Sequence, residues 1–123
     1  MNITHVRLLS LPVSDQDRAK DFYLNTLGFE LIADNPMGPG QRWVQVGPKG
    51  AATSLTLVTW FDKMPAGSVS GLVLETDDID GDIARLRAAG VAVTGPEDED
   101  WGRHVTFADP DGNGIVLAGS RSA

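Results

Sequence analysis

Cysteine is absent from this chain of 123 residues. Disulfides, zinc–thiolate centres and cysteine nucleophiles are therefore excluded together. Histidine is nearly absent, since His5 and His104 are the only two. Basic residues are scarce too: ten Lys and Arg against seventeen Asp and Glu give a net charge of −7. A nucleic-acid binder needs a basic footprint, and none exists here. No stretch approaches the ~18 consecutive apolar residues of a membrane span. The N-terminus, Met1-Asn2-Ile3-Thr4-His5-Val6-Arg7, is polar and charged where a secretory leader would be apolar. A cytoplasmic location is the expectation. Glycine-rich phosphate loops, nucleophile elbows and HExxH motifs are missing as well, so no cofactor is expected.

What is present is a pattern that repeats. The length fits one domain, residues 1–123, large enough to bury a core without staples. Ile3–Leu11 is rich in Val, Ile and Leu and reads as a strand. Ser14 is placed as an N-cap, with Asp17 three residues on. Ala19, Phe22 and Tyr23 then fall on one helical face. Gly28 ends the helix, with Phe29 set for the accompanying apolar contact. Strands are expected at Phe29–Ala33, Arg42–Val46 and Ser54–Thr59, with a loop at Asn35-Pro36-Met37-Gly38-Pro39-Gly40.

The second half runs in the same order. Val69–Glu75 reads as a strand. Asp77 or Asp78 caps a helix whose apolar face is Ile79, Ile83, Leu86 and Ala89, and Gly90 stops it. Strands follow at Val91–Thr94, Arg103–Ala108 and Gly114–Ala118. The turns Gly47-Pro48-Lys49-Gly50-Ala51 and Asp109-Pro110-Asp111-Gly112-Asn113 correspond, each with Pro second and Gly fourth. The fold class is therefore α+β: two βαβββ modules, about 1–62 and 67–123. The acidic run Glu97-Asp98-Glu99-Asp100 reads as a solvated loop; the other reading is a rim that attracts a cationic ligand.

Three segments carry a resemblance. Asp21-Phe22-Tyr23-Leu24-Asn25-Thr26-Leu27-Gly28-Phe29-Glu30 is similar to the helix-to-strand signature of glyoxalase/bleomycin-resistance proteins. Phe107-Ala108-Asp109-Pro110-Asp111-Gly112-Asn113-Gly114 resembles their "F-x-D-P-D-G-N" turn. Asp77-Asp78-Ile79-Asp80, with Leu86-Arg87-Ala88-Ala89-Gly90-Val91, resembles their second helix. Together they span almost the whole chain, which thus resembles the glyoxalase/bleomycin-resistance/extradiol-dioxygenase (vicinal oxygen chelate) superfamily. The resemblance implies curled mixed sheets around a cavity, with helices outside. It also implies module pairing within a chain or across a homodimer. In many members four cavity residues, usually His and Glu, hold a divalent metal; other members bind a drug with no metal.

Matched position by position, the implied metal ligands become His5, Thr56, Gly71 and Val116. One imidazole with Thr, Gly and Val cannot supply the several His or carboxylate donors such metals need, so no metal is expected. His5 and His104 are the candidate general bases, near neutral in intrinsic pKa. Ligand contacts are expected from His5, Arg7, Trp43, Gln45, Thr56, Trp60, Trp101, His104 and Thr106. Arg7 shares a face with His5 by alternation, and the tryptophans sit at strand ends where they can stack on a flat ligand. Core or dimer packing would serve the tryptophans equally well. The expected function is a metal-free small-molecule, antibiotic-type binding protein working as a homodimer. The alternative is an enzyme of the same superfamily: a metal-independent isomerase or lyase, or a metal-dependent glyoxalase or dioxygenase.

Overall fold

The computed structural model describes residues 1–119. The elements run β1 (Leu8–Pro12), α1 (Gln16–Asp21) continued by a π-helical turn (Phe22–Thr26), β2 (Glu30–Pro36), β3 (Arg42–Gly47) and β4 (Ser54–Val58). Then come β5 (Leu72–Thr76), α2 (Ile79–Ala88), β6 (Thr94–Glu99), β7 (Gly102–Ala108) and β8 (Gly114–Gly119). Two four-stranded sheets form, ordered β1-β4-β3-β2 and β5-β8-β7-β6. In each, the first strand pairs parallel with the last and the other pairings are antiparallel. This is the βαβββ repeat read from the sequence.

Strand alternation decides what each sheet buries. Leu11, Val44, Val46, Leu55 and Leu57 from the first sheet join Val105, Phe107, Ile115 and Leu117 from the second in one core cluster. Ala19, Phe22 and Tyr23 of the first helix and Ile79, Ile83 and Leu86 of α2 complete it. The helices stop as glycine caps require: Gly28 and Gly90 have φ of 75° and 83°, values that favour glycine. The Tyr23 and Phe29 rings lie 5.8 Å apart, so Phe29 packs back onto the helix.

Several boundaries differ from expectation. Residues 1–7 lie outside β1, which starts only at Leu8, because the ladder with β4 begins there, at Leu8 opposite Ser54. Asp15 rather than Ser14 caps α1, accepting from Arg18 N, and Ser14 is engaged elsewhere. Asp78 caps α2. The expected loop at 35–40 is shortened, since β2 runs to Pro36. The sixth strand is not Val91–Thr94 but Thr94–Glu99. The acidic run therefore lies largely in an edge strand, held to β7 by the pairs Glu97–His104, Asp98–Arg103 and Glu99–Gly102.

The modules are joined through the β7–β8 turn. Asp109, 5% exposed, accepts four hydrogen bonds. Its Oδ1 takes the backbone N–H groups of Asp111 (3.0 Å) and Asn113 (2.9 Å). Its Oδ2 takes the Tyr23 hydroxyl (2.9 Å) and Asn113 Nδ2 (2.9 Å). Asn113 also donates to Pro12 O and accepts from Val69 N. Asp111 accepts from Ser14 N and Oγ and pairs with Arg18. Linker residue Gly67, at φ 81°, runs so close that a Cβ would collide with the Asp111 carbonyl oxygen. Burial above all, and then the charge of Asp109, push the Tyr23 phenol far above its ordinary value, so it stays a donor. Asp109→Asn exchanges an all-acceptor group for one whose NH₂ faces two donors. It should cost about 3 kcal/mol of unfolding free energy, read as a lower denaturant midpoint at unchanged slope.

A second polar cluster ties α1 to the first sheet. Asp34 accepts from Arg42 Nε and Nη2 and from Lys20 Nζ, each at 2.7 Å. Hydrogen bonds from Arg42 first, then Lys20, hold its carboxyl well below the ordinary 3.8. A depressed folded pKa stabilises the fold above the unfolded value and loses that effect as pH falls through the folded value. Asp34→Asn should therefore lower the melting temperature at pH 7. The gap from the parent should narrow as pH drops below about 4.

Candidate functional site

Each sheet has a second face, turned away from the core cluster. On the first sheet it carries neutral hydrogen-bonding groups. Register aligns Ser10, Thr56, Gln45 and Ala33 in one row. Ser10 Oγ and Thr56 Oγ1 lie 3.2 Å apart. Gln45 Nε2 donates to Ser54 Oγ at 2.8 Å, and Trp43 Nε1 donates to Gln45 Oε1 at 3.1 Å. Trp43 is thereby fixed beside a strip of hydroxyls, its indole half-buried. Thr56 is buried and already bonded.

The second sheet's outward face is different. One row is Thr94, Thr106, Val116 and Val73; the next is Glu97, His104, Ala118 and Glu75. Val73 is 61% exposed, and Thr106 and Glu75 are exposed too. At one end Trp101 lies flat against His104, with ring centroids 5.8 Å apart and planes at 19°. Arg103 belongs to the opposite side, bonded to Asp98 and Asp80. Among the described residues, these rows thus combine a planar aromatic stack with carboxylates from Glu75, Glu97 and Glu99 and no lysine or arginine.

The structure therefore brings Trp43, Gln45 and Thr56 together on one face, and Trp101, His104 and Thr106 on the other. It does not bring His5 and Arg7 to either. Both are exposed and precede β1, and His5 Nδ1 lies 2.9 Å from Thr4 Oγ1. Alternation explains this: Ser10 shares the Thr56 face, while Leu11 faces the core, so odd-numbered positions run to the helix side. His5, matched to the first metal ligand, therefore lies outside the paired strand. Trp60 follows β4, half-buried, its ring 6.1 Å from that of Phe61. Sequence reasoning missed Glu97 and Glu99 as neighbours of His104. The signal was the even spacing of 97 and 99 on a strand that had been read as a loop.

A superfamily metal does not fit the middle of these faces. Of the matched positions, Thr56, Gly71 and Val116 offer no imidazole and no carboxylate, and His5 is exposed and precedes β1. Hydroxyls and aliphatic side chains cannot replace the His and Glu donors of such a centre. A hollow of about 440 Å³ lies elsewhere, between the first helix's end and α2, walled by Phe29, Leu74, Leu86, Phe107 and Leu117. Of its polar lining, Thr76, Asp82 and Arg85 are bonded to one another, and Lys49 and Glu75 also border it.

Comparison with known proteins agrees with this architecture. Residues 2–117 match the family described as Glyoxalase/Bleomycin resistance protein/Dioxygenase superfamily. An uncharacterized protein of Bacillus subtilis (strain 168), YetH, is 38% identical over 119 residues, 94% of this chain and 98% of its own. Among solved structures, TnmS3, an antibiotic binding protein from Streptomyces sp. CB03234, superposes with a TM-score of 0.93 at 59% identity, covering 98% of both chains. A superfamily member from Sphaerobacter thermophilus DSM 20745 gives 0.87 at 41% identity, covering 98% of this chain and 100% of that one.

Proposed function

The chain belongs to the glyoxalase/bleomycin resistance/dioxygenase superfamily, and from that premise we propose that it is a small-molecule binding protein for antibiotic-type ligands, working without the superfamily's central metal. One observation carries the reading. The positions matched to the His and Glu of a metal-dependent member hold Thr56, Gly71 and Val116 beside a lone His5 that lies outside β1, while aromatic side chains stand on the outward faces. Such a surface suits a flat, partly apolar molecule that stacks on Trp101 and Trp43 and takes hydrogen bonds from the hydroxyls and Gln45. The 59% identity to an antibiotic binding protein supports the same class.

The ligand is held between faces of two chains, in a homodimer of the cytoplasm. The first sheet's neutral face and the second sheet's acidic face both look away from their shared core, so neither encloses a ligand alone. The exposed apolar side chains Met1, Ile3, Val6 and Val73 form the kind of surface that a partner covers. Light scattering should give twice the chain mass of 13.1 kDa; a monomer at micromolar concentration would sink the dimeric arrangement.

Ligand binding is tested by calorimetry, in chelator-containing buffer, against a panel of planar aromatic and cationic antibiotics. A binder present at a hundred times its Kd should add about 2.7 kcal/mol of stability. Trp101→Ala, at a side chain 61% exposed, should leave folding intact and weaken binding by about threefold to tenfold, the worth of one stacking contact. No binding across the panel, or binding indifferent to both Trp101→Ala and Gln45→Ala, would remove this reading. Chemical turnover of a bound compound would instead establish the enzymatic alternative, with His104 the base to test.

A further inference from the structure

We propose that Glu97, Glu99 and His104 form a binding site for one borderline divalent cation, of the zinc or nickel kind, at the rim of the second sheet's open face. The three side chains each bring one ligand atom within 4.8 Å of the others. Backbone register puts them there. Glu97 is the direct cross-strand partner of His104, and Glu99 returns to the same face two residues on. None of the three residues is among the positions matched to the superfamily's metal ligands, so the site is separate from that one.

Two further observations distinguish this group from ordinary surface carboxylates. The first is the state of the imidazole. Its Nδ1 is buried with no hydrogen-bond partner, and its Nε2 stands 3.9 Å from Glu97 Oε2, too far for a hydrogen bond. Trp101 stacks on the ring, and Nε2, the nitrogen on the Glu97 side, has no hydrogen-bond partner among the described residues. The second is the lack of compensation. Among the described residues neither glutamate has a basic partner other than His104, while the nearby guanidinium of Arg103 is committed to Asp98 and Asp80. Two carboxylates without a Lys or Arg partner therefore lie beside one imidazole.

The donor set selects the cation. Imidazole with two carboxylates suits zinc, nickel, cobalt or copper over magnesium and calcium, which take oxygen ligands. Bonds of about 2.0–2.2 Å to zinc bring donor atoms roughly 3–4 Å apart. The glutamates can close that distance because Glu97 is 68% exposed in its side chain and Glu99 is exposed. The ring need not move. Three protein ligands leave the remaining positions to water.

The test is isothermal titration of the chelator-stripped, full-length protein with Zn²⁺ and, separately, Ni²⁺. One equivalent per chain is expected. His104→Ala and His104→Gln should both abolish it, with melting temperatures confirming that each still folds. Glu97→Gln and Glu99→Gln should each weaken it by tenfold or more, and His5→Ala should leave it unchanged. Ni²⁺ should quench tryptophan emission, and Trp101→Phe should remove most of that quenching while one equivalent still binds. No binding by the parent protein, an equivalent that survives loss of His104, or one lost with His5 would overturn the proposal. Antibiotic binding is measured with chelator present, so the two proposals fail independently.

Discussion

The buried carboxylate of Asp109 sets the relation between the halves of this molecule. An ion removed from water is tolerated only when its lone pairs are filled, and here four donors fill them. Two are backbone groups of its own turn, one is Asn113 and one is a phenol from the other module. The carboxylate holds the turn through two of its N–H groups, and it is fully matched only when Tyr23 docks. Turn shape and module docking are therefore one event. Asn113 extends it by tying Pro12 and Val69 to the same point. The hydrophobic core shared by the modules is not directional. The polar cluster supplies the direction.

That coupling explains which parts of the chain were legible. The motifs around Tyr23 and around Asp109 to Gly114 announced the fold because each is half of this cluster, and such a cluster needs particular residues at particular places. The helix stops at Gly28 and Gly90 were readable for the same reason, since a positive φ selects glycine. Strand edges were harder. Ile3 to Arg7 carries the same residue types as β1, yet it has no pairing long enough to become strand, and composition does not record pairing. The acidic run was read as loop because its charges looked solvated. They are solvated, along one edge of a sheet.

The site was legible by residue type and not by face. The candidate residues were expected as one set, and the structure divides them, with Trp43, Gln45 and Thr56 on one outward face and Trp101, His104 and Thr106 on the other. His5 and Arg7 were assigned by matching a motif with a strand beginning too early, and a shift of one residue sends every side chain to the opposite face. Glu97 and Glu99 were overlooked through the same mechanism, since a residue placed in a loop has no face to share. The two outward faces also differ in a way that composition hides. One is neutral and already hydrogen-bonded within itself; the other is anionic and stacked.

The position of β6 has a consequence for how the protein behaves in a crowded solution. An outermost strand presents unpaired amide and carbonyl groups that invite another strand to dock. In β6 those groups sit among Glu97, Asp98 and Glu99, with Pro96 interrupting the donors. A second copy approaching edge-on meets its own row of negative charge and one missing N–H. Open-ended stacking of sheets is thereby discouraged at that margin by the same carboxylates that give the face its chemistry.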